Sequence, residues 1–219
     1  MEFEQTLQNL YRLHYASMNF NHMVEYQEGN WTLFEPSRFV YCYFTFNSIY
    51  SIDWNQTIGH KNIRFFESSP EPSDLTKAKT LIDFIYEKLP QEDINYLFNE
   101  YVISKYNDQN NFMNLVNSVN ESYNISSSEQ KSFKEDLINA YHNKYILKGK
   151  LKNSVMRFII MVRNNVFHGS KDLLKMTEKR QRERLELYAK ILNFINICVF
   201  EIIDSHTGIF FEKKLRFRL

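Results

Sequence analysis

One stretch in the last third of the chain decides the fold: Phe158-Ile-Ile-Met-Val-Arg-Asn-Asn-Val-Phe-His168-Gly169-Ser-Lys171. The run from Phe158 to Val162 is entirely apolar, which leaves no solvated face and predicts a helix buried among other helices. Gly169 is of the residue type that most readily ends a helix in the left-handed conformation, so His168 should lie on the final turn.

The polar part of this stretch places Arg163 and His168 five positions apart. On an ideal helix that spacing separates the two side chains by about 140° and about 7.5 Å of rise, so they share a cleft only if the last turn loosens, which a glycine permits. Histidine exchanges protons near neutral pH, and arginine is a permanent cation with a planar fork that matches phosphate oxygens. RNA supplies its own nucleophile in the 2′-hydroxyl, so this pair could cleave RNA without a metal ion.

The spacing alone is a weak signal. An Arg-x4-His pattern arises by chance in many chains, and the plainer interpretation is a capping histidine beside a salt-bridged arginine. An arginine that adjoins a core helix is costly to bury unless it is paired or faces a polar cleft, so Arg163 needs an explanation in either case.

Two separated segments resemble the HEPN superfamily. Val162-Arg-Asn-Asn-Val-Phe-His-Gly-Ser-Lys171 is similar to its Arg-x4-6-His signature, including the polar residue after the arginine. Arg38-Phe-Val-Tyr-Cys-Tyr-Phe-Thr-Phe-Asn-Ser-Ile-Tyr50, with its Phe-Asn-x-x-Tyr, is similar to the early core helix of that family. The resemblance covers the helical core and says little about residues 54–147.

The resemblance implies an all-α, HEPN-like helical bundle that is commonly dimeric. Members are often metal-independent endoribonucleases of toxin, antiviral and CRISPR-associated systems. Carried over residue by residue, Arg163 and His168 would be catalytic, and Asn164 would orient the histidine or the phosphate. Asn47 is a softer match that would face the site, and Lys171 lies within reach for a phosphate contact.

Length and composition fit one domain over residues 1–219. Apolar residues make up 43% of the chain, with only 5 Gly and 4 Pro, which is typical of a folded, helix-dominated protein. Residues 91–147 look helical in at least two pieces, one of which begins at the capping-box pattern Ser126-Ser-Ser-Glu129, and form the candidate helical insertion. The tail from Ile209 to Leu219 ends in alternating basic and apolar residues and predicts a short C-terminal β-hairpin.

Charge is unevenly distributed although the net charge is only +1. Residues 1–147 hold 11 Lys/Arg and 19 Asp/Glu, a net of −8, whereas residues 148–219 hold 16 and 7, a net of +9. The segment with Arg163 and His168 is therefore the basic one, as expected if phosphates approach it. The alternative is that the two parts neutralise each other across an internal interface.

Several classes of protein are disfavoured by the sequence. No apolar run approaches the 18 or more residues that a membrane span needs, and the acidic N-terminus does not resemble a signal peptide, so a cytoplasmic protein is expected. Cys42 and Cys198 lie in apolar helical patterns, which predicts buried thiols rather than a disulfide or a zinc site. No metal and no cofactor are expected.

The mechanism predicts a homodimer. Cleavage needs one group to take the 2′-hydroxyl proton and another to protonate the leaving 5′-oxygen, but each chain offers one well-placed histidine, and arginine does not release its proton. A two-fold dimer would bring two copies of Arg163 and His168 to one cleft. RNA is the expected substrate, with an antitoxin or a defence-complex protein as a further partner.

Two other hypotheses stay open. The same scaffold could be a non-catalytic module that binds RNA, a nucleotide or a partner within a defence complex. It could also be an inactive structural protein in which Arg163 pairs with a carboxylate such as Asp53.

Overall fold

The computed structural model describes residues 8–14, 34–49, 72–106, 108–120, 125–167, 176 and 178–207, and these residues are helical or lie in short connections. No β-strand occurs within those ranges. The predicted C-terminal hairpin lies outside them.

The helices follow one another in a simple order. Residues 8–14 form α1, and the other described helices are α2 (Phe34–Ile49), α3 (Asp74–Lys88), α4 (Gln91–Tyr101), α5 (Gln109–Asn117), α6 (Ser127–Asn143), α7 (148–167) and α8 (Lys179–Thr207). A short 3-10 turn, Ile103–Lys105, separates α4 from α5. The helix α7 runs without interruption through Lys148–Lys150, a π-helical segment Leu151–Val155, and Met156–Phe167.

Local sequence explains several boundaries. The Ser73 hydroxyl accepts a hydrogen bond from the backbone N–H of Thr76 and so caps α3, which ends just before Pro90. The predicted capping box begins α6: Ser126 and Glu129 each bond the other's backbone N–H. Lys144 ends the same helix in the left-handed conformation, with a φ of 58°.

The core forms where α8 meets the rest of the bundle. The helix α8 packs most extensively on α2 and also packs on α3, α4 and α5. Its residues 191–200 are therefore all buried. Phe133 of α6 stacks on Phe158 of α7 with ring centroids 4.1 Å apart, and both rings contact Tyr188 of α8 edge-on. The apolar run of α7 is thus buried among other helices, as its sequence predicts.

The described helices between residues 91 and 147 belong to the same hydrophobic core. Phe98 of α4 packs on Phe194 of α8 at 5.4 Å, and Phe133 belongs to the aromatic cluster around Tyr188. The helices of this segment therefore add to the central core instead of forming a separate one. That the segment is an insertion relative to the HEPN core stays a prediction.

Candidate active site

Arg163 lies on the last turns of α7, with its guanidinium against two aromatic rings. Its Cζ is 4.7 Å from the ring centroid of Tyr43, which α2 supplies, and 4.9 Å from that of Phe167 on α7 itself. Such cation–π contacts contribute about 0.5 to 2 kcal/mol each, more where water is excluded. Because Tyr43 is fully buried, the guanidinium is held against a fixed surface.

Two polar partners hold one corner of the guanidinium. The Nη1 atom of Arg163 donates to Oδ1 of Asn164 at 2.9 Å and to Oδ2 of Asp74 at 3.3 Å. Asp74 is the first residue of α3, directly after its cap. Two of the predicted site residues, Arg163 and Asn164, are therefore in direct contact through their side chains.

The Arg163–Asp74 ion pair is open to solvent. The side chains of Arg163 and Asp74 retain 21% and 36% of their exposure, and 3.3 Å is longer than the ~2.7 to 2.9 Å typical of a charge-assisted hydrogen bond. Pairs of this kind contribute only about 0 to 1 kcal/mol. An incoming phosphate can therefore reach the guanidinium and compete with Asp74.

Two further polar atoms of the cluster are buried without a hydrogen-bond partner among the described residues: Nε of Arg163 and the hydroxyl of Tyr43. Burial raises the pKa of Tyr43, and the opposing effect of the Arg163 charge is smaller. The hydroxyl of Tyr43 therefore stays protonated at neutral pH and cannot serve as a base. Its part in the cluster is to support the guanidinium.

Asn47 lies one turn beyond Tyr43 on α2, and it is exposed. Because it is exposed, water can satisfy its side-chain amide without a partner inside the protein. The same end of α2 still approaches the end of α7, since Phe44 packs edge-on against Phe167 with ring centroids 5.6 Å apart. Asn47 is on the helix that borders the Arg163 cluster.

His168 and Lys171 lie outside the described residues. Of the predicted site residues that are described, the structure brings Arg163 and Asn164 into contact. His168 is the residue that follows Phe167 in the sequence. The alternative partner Asp53 also lies outside the described residues, and the carboxylate that pairs with Arg163 is that of Asp74.

Sequence reasoning missed Tyr43, Asp74 and Phe167 as members of the cluster. Tyr43 and Phe167 both lie inside the two stretches that carry the family resemblance, so that resemblance could have identified them. Asp74 carried no comparable signal, because its contact with Arg163 joins positions 89 apart in the sequence.

No metal centre accompanies the cluster: in the part of the chain that the structure describes, no three His, Cys, Asp or Glu side chains lie close enough to hold an ion. Cys42 and Cys198 are buried free thiols, as predicted. Among the described helices none has both the length and the apolar character needed to cross a bilayer.

Comparisons of this chain with protein-family models, curated proteins and solved structures give no significant match. The similarity to the HEPN superfamily therefore depends on the two quoted stretches.

Proposed function

We propose that this chain is a metal-independent endoribonuclease of the HEPN type that cleaves RNA at a composite site between two identical subunits. The observation that supports this proposal is the setting of Arg163. A largely buried helix holds its guanidinium near the helix end, where it is partly open to solvent, and the histidine of the motif follows five positions later. A role in toxin–antitoxin or antiviral defence follows from the resemblance.

The proposed reaction needs no group beyond side chains and RNA. The 2′-oxygen attacks the adjacent phosphorus as His168 of one subunit takes its proton, and the bond from phosphorus to the 5′-oxygen breaks. The leaving 5′-oxygen takes a proton from the second His168 of the dimer. The products are a 2′,3′-cyclic phosphate and a 5′-hydroxyl.

Arg163 would stabilise the extra negative charge of the pentacoordinate phosphorane, because a fixed cation costs little reorganisation when the charge develops. Asn164 would act as a positioning residue, since its side-chain oxygen accepts from Nη1 and sets the plane of the guanidinium. Lys171 and Asn47 are proposed to contact the RNA on either side of the cleaved bond.

Cleavage should proceed in EDTA. Incubating a labelled, unstructured RNA with the purified protein in excess EDTA is expected to give fragments that end in a 2′,3′-cyclic phosphate, because no step uses a metal ion. The ends are identified by mass spectrometry, and subunit stoichiometry by light scattering. Added Mg²⁺ should not raise the rate more than about twofold at matched ionic strength.

Loss of cleavage in EDTA, or full activity in a protein that stays monomeric, would contradict the proposed mechanism. A structured RNA of the same base composition serves as the second substrate, so that the demand for an unpaired strand is measured in the same assay.

A second candidate function is a non-catalytic module that binds RNA, a nucleotide or a protein partner in a defence complex. The observation that favours it is the Arg163–Asp74 ion pair, which satisfies part of the guanidinium within the chain. Removing the Asp74 carboxylate distinguishes an Arg163 that binds phosphate from an Arg163 whose role is to pair with α3.

Asp74→Asn is expected to increase affinity for RNA about fivefold, because one repulsive charge beside the bound phosphate is worth ~1 kcal/mol at a water-like dielectric constant. Binding is measured by fluorescence anisotropy at low salt with a fully 2′-O-methylated RNA, which lacks the nucleophile and stays intact. Glu135→Gln is the matched control, since Glu135 is an exposed carboxylate paired with Lys131 on α6.

If Arg163 is only a structural partner of Asp74, then Asp74→Asn will lower the free energy of unfolding by up to about 1 kcal/mol and leave RNA affinity unchanged. An equal rise in affinity for Glu135→Gln would mean that net charge alone is responsible.

A further inference from the structure

A cavity of about 770 Å³ lies between α5 and the first half of α8, and it shares no residue with the Arg163 cluster. Its size is within the range of about 300 to 1,000 Å³ found for small-molecule sites. The described residues that line it are mostly polar, among them Asn111, Asn114, Ser118, Arg180, Glu186 and Lys190.

Lys190 is the unusual residue of this cavity. Its side chain is only 16% exposed, although an ammonium group is costly to remove from water. Its Nζ lies 3.6 Å from Oε1 of Glu186 and 4.6 Å from the ring centroid of Tyr106. A lysine so placed needs negative charge nearby.

The carboxylate that balances Lys190 is shared. Oε1 of Glu186 also accepts a hydrogen bond from Nη1 of Arg38, another largely buried cation. Burial lowers the pKa of Lys190, Glu186 raises it, and the positive charges of Arg38 and Lys105 lower it further. Of the described residues that line the cavity, Lys190 and Arg180 are the two that an anion could contact favourably, and the carboxylates Glu183 and Glu186 lie between them in the sequence.

The walls suit a molecule with hydroxyl groups. Asn111 and Asn114 of α5 are exposed amides, and Ser118 follows that helix, so both donors and acceptors face the cavity along one side. Arg180 is exposed at the other end, about 15 Å from Lys190 along α8 at 1.5 Å per residue. The cavity is thus longer than a single inorganic anion requires.

We propose that this cavity binds a small organic anion with a polyhydroxyl body, whose charged group meets Lys190 and whose hydroxyls bond Asn111, Asn114 and Ser118. Phosphate and carboxylate would both satisfy the ammonium group. This second site would let the chain bind a metabolite independently of RNA.

Calorimetric titration at 0.15 M NaCl tests the proposal with three probes: ribose 5-phosphate, gluconate and ribose. At least one anion is expected to bind saturably at one per chain, and the comparison of the two identifies phosphate or carboxylate as the preferred group. Ribose, which lacks the charge, should not bind measurably. Absence of saturable binding by both anions overturns the proposal.

Variants locate the binding. Lys190→Met, which keeps an unbranched side chain but removes the ammonium group, should weaken binding about tenfold to 100-fold, the usual effect of losing a hydrogen bond to a charged group. Asn114→Ala changes an exposed residue, leaves the fold intact and should weaken binding about threefold. Lys131→Met, at an exposed lysine of α6, is the control for net charge and should bind as the native chain does.

Circular dichroism checks that Lys190→Met is folded. Native affinity in both Lys190→Met and Asn114→Ala, or equal loss in Lys131→Met, would contradict the assignment. No RNA enters this titration, so its failure leaves the ribonuclease proposal untouched, and an absence of RNA cleavage would not affect the binding result.

Discussion

Arg163→Ala should lower the rate of RNA cleavage about 10²- to 10³-fold, the usual loss when one preorganised charge-stabilising group is removed. His168→Ala should lower it about 10²- to 10⁴-fold, because that variant lacks the group that transfers protons. Both rates are measured under single-turnover conditions in EDTA with saturating protein, so that a loss of binding does not pass for a loss of catalysis.

The chain offers matched controls outside the Arg163 cluster. Arg157 lies on α7 as well, but its guanidinium donates to Oε1 of Glu129 through Nε at 2.9 Å and Nη2 at 2.7 Å, away from the Arg163 cluster. Arg157→Ala and His142→Ala, at an exposed histidine of α6, should cleave at the native rate. Equal losses in the controls, or native cleavage by Arg163→Ala, would argue against Arg163 in the active centre.

Arg163→Lys separates charge from shape. Lysine keeps the positive charge but lacks the planar fork that lies on the two aromatic rings and bonds Asn164. Its rate should fall between those of the native protein and Arg163→Ala. Lysine can still place its charge over the rings, and the ion pair with Asp74 is partly exposed, so Arg163→Lys should lower the free energy of unfolding by no more than about 1 to 2 kcal/mol.

Phe158→Ala should lower the free energy of unfolding by about 3 to 5 kcal/mol, the range observed for large aromatic residues truncated in a packed core. Phe158 stacks on Phe133 and meets Tyr188 edge-on, so its removal opens a cavity where α6, α7 and α8 join. The change is measured by urea denaturation followed by circular dichroism.

Tyr96→Ala provides the comparison, because Tyr96 is an aromatic residue of α4 that is 66% exposed. Its truncation should change the free energy of unfolding by no more than about 0.5 kcal/mol. Similar values for Phe158→Ala and Tyr96→Ala would mean that the α7 run does not hold the core together.

The sequence predicted the core helix well because its signal is local. An unbroken apolar run such as Phe158 to Val162 has no solvated face, and any apolar neighbour can cover it. Its burial could therefore be inferred without knowing which helices pack against it. The start of α3 was equally predictable, since Ser73 can cap only the helix that follows it.

Exposure at the end of α2 was harder to infer. The run from Phe39 to Phe46 is apolar apart from Thr45, a pattern typical of a helix covered on nearly every face, but Phe44 is 42% exposed and Asn47 is exposed as well. Which side of an apolar helix stays uncovered depends on the number of neighbours around it, and that number is set by tertiary packing.

The partners of Arg163 were out of reach for the same reason. Its position at the end of a buried helix followed from the sequence, whereas Asp74 approaches it only because α3 packs on α7. A sequence pattern identifies a costly charge, but it does not identify the distant group that compensates it.

The packing of α2 on α8 has a consequence for the time at which activity can arise during translation. Positions 49 and 179 are 130 apart, so α2 has left the ribosome long before its main partner is made. Tyr43, whose ring contacts the Arg163 guanidinium, belongs to α2, which lacks its main packing partner during this interval. On the proposed function, a nascent chain could therefore not cleave RNA until its last long helix has emerged.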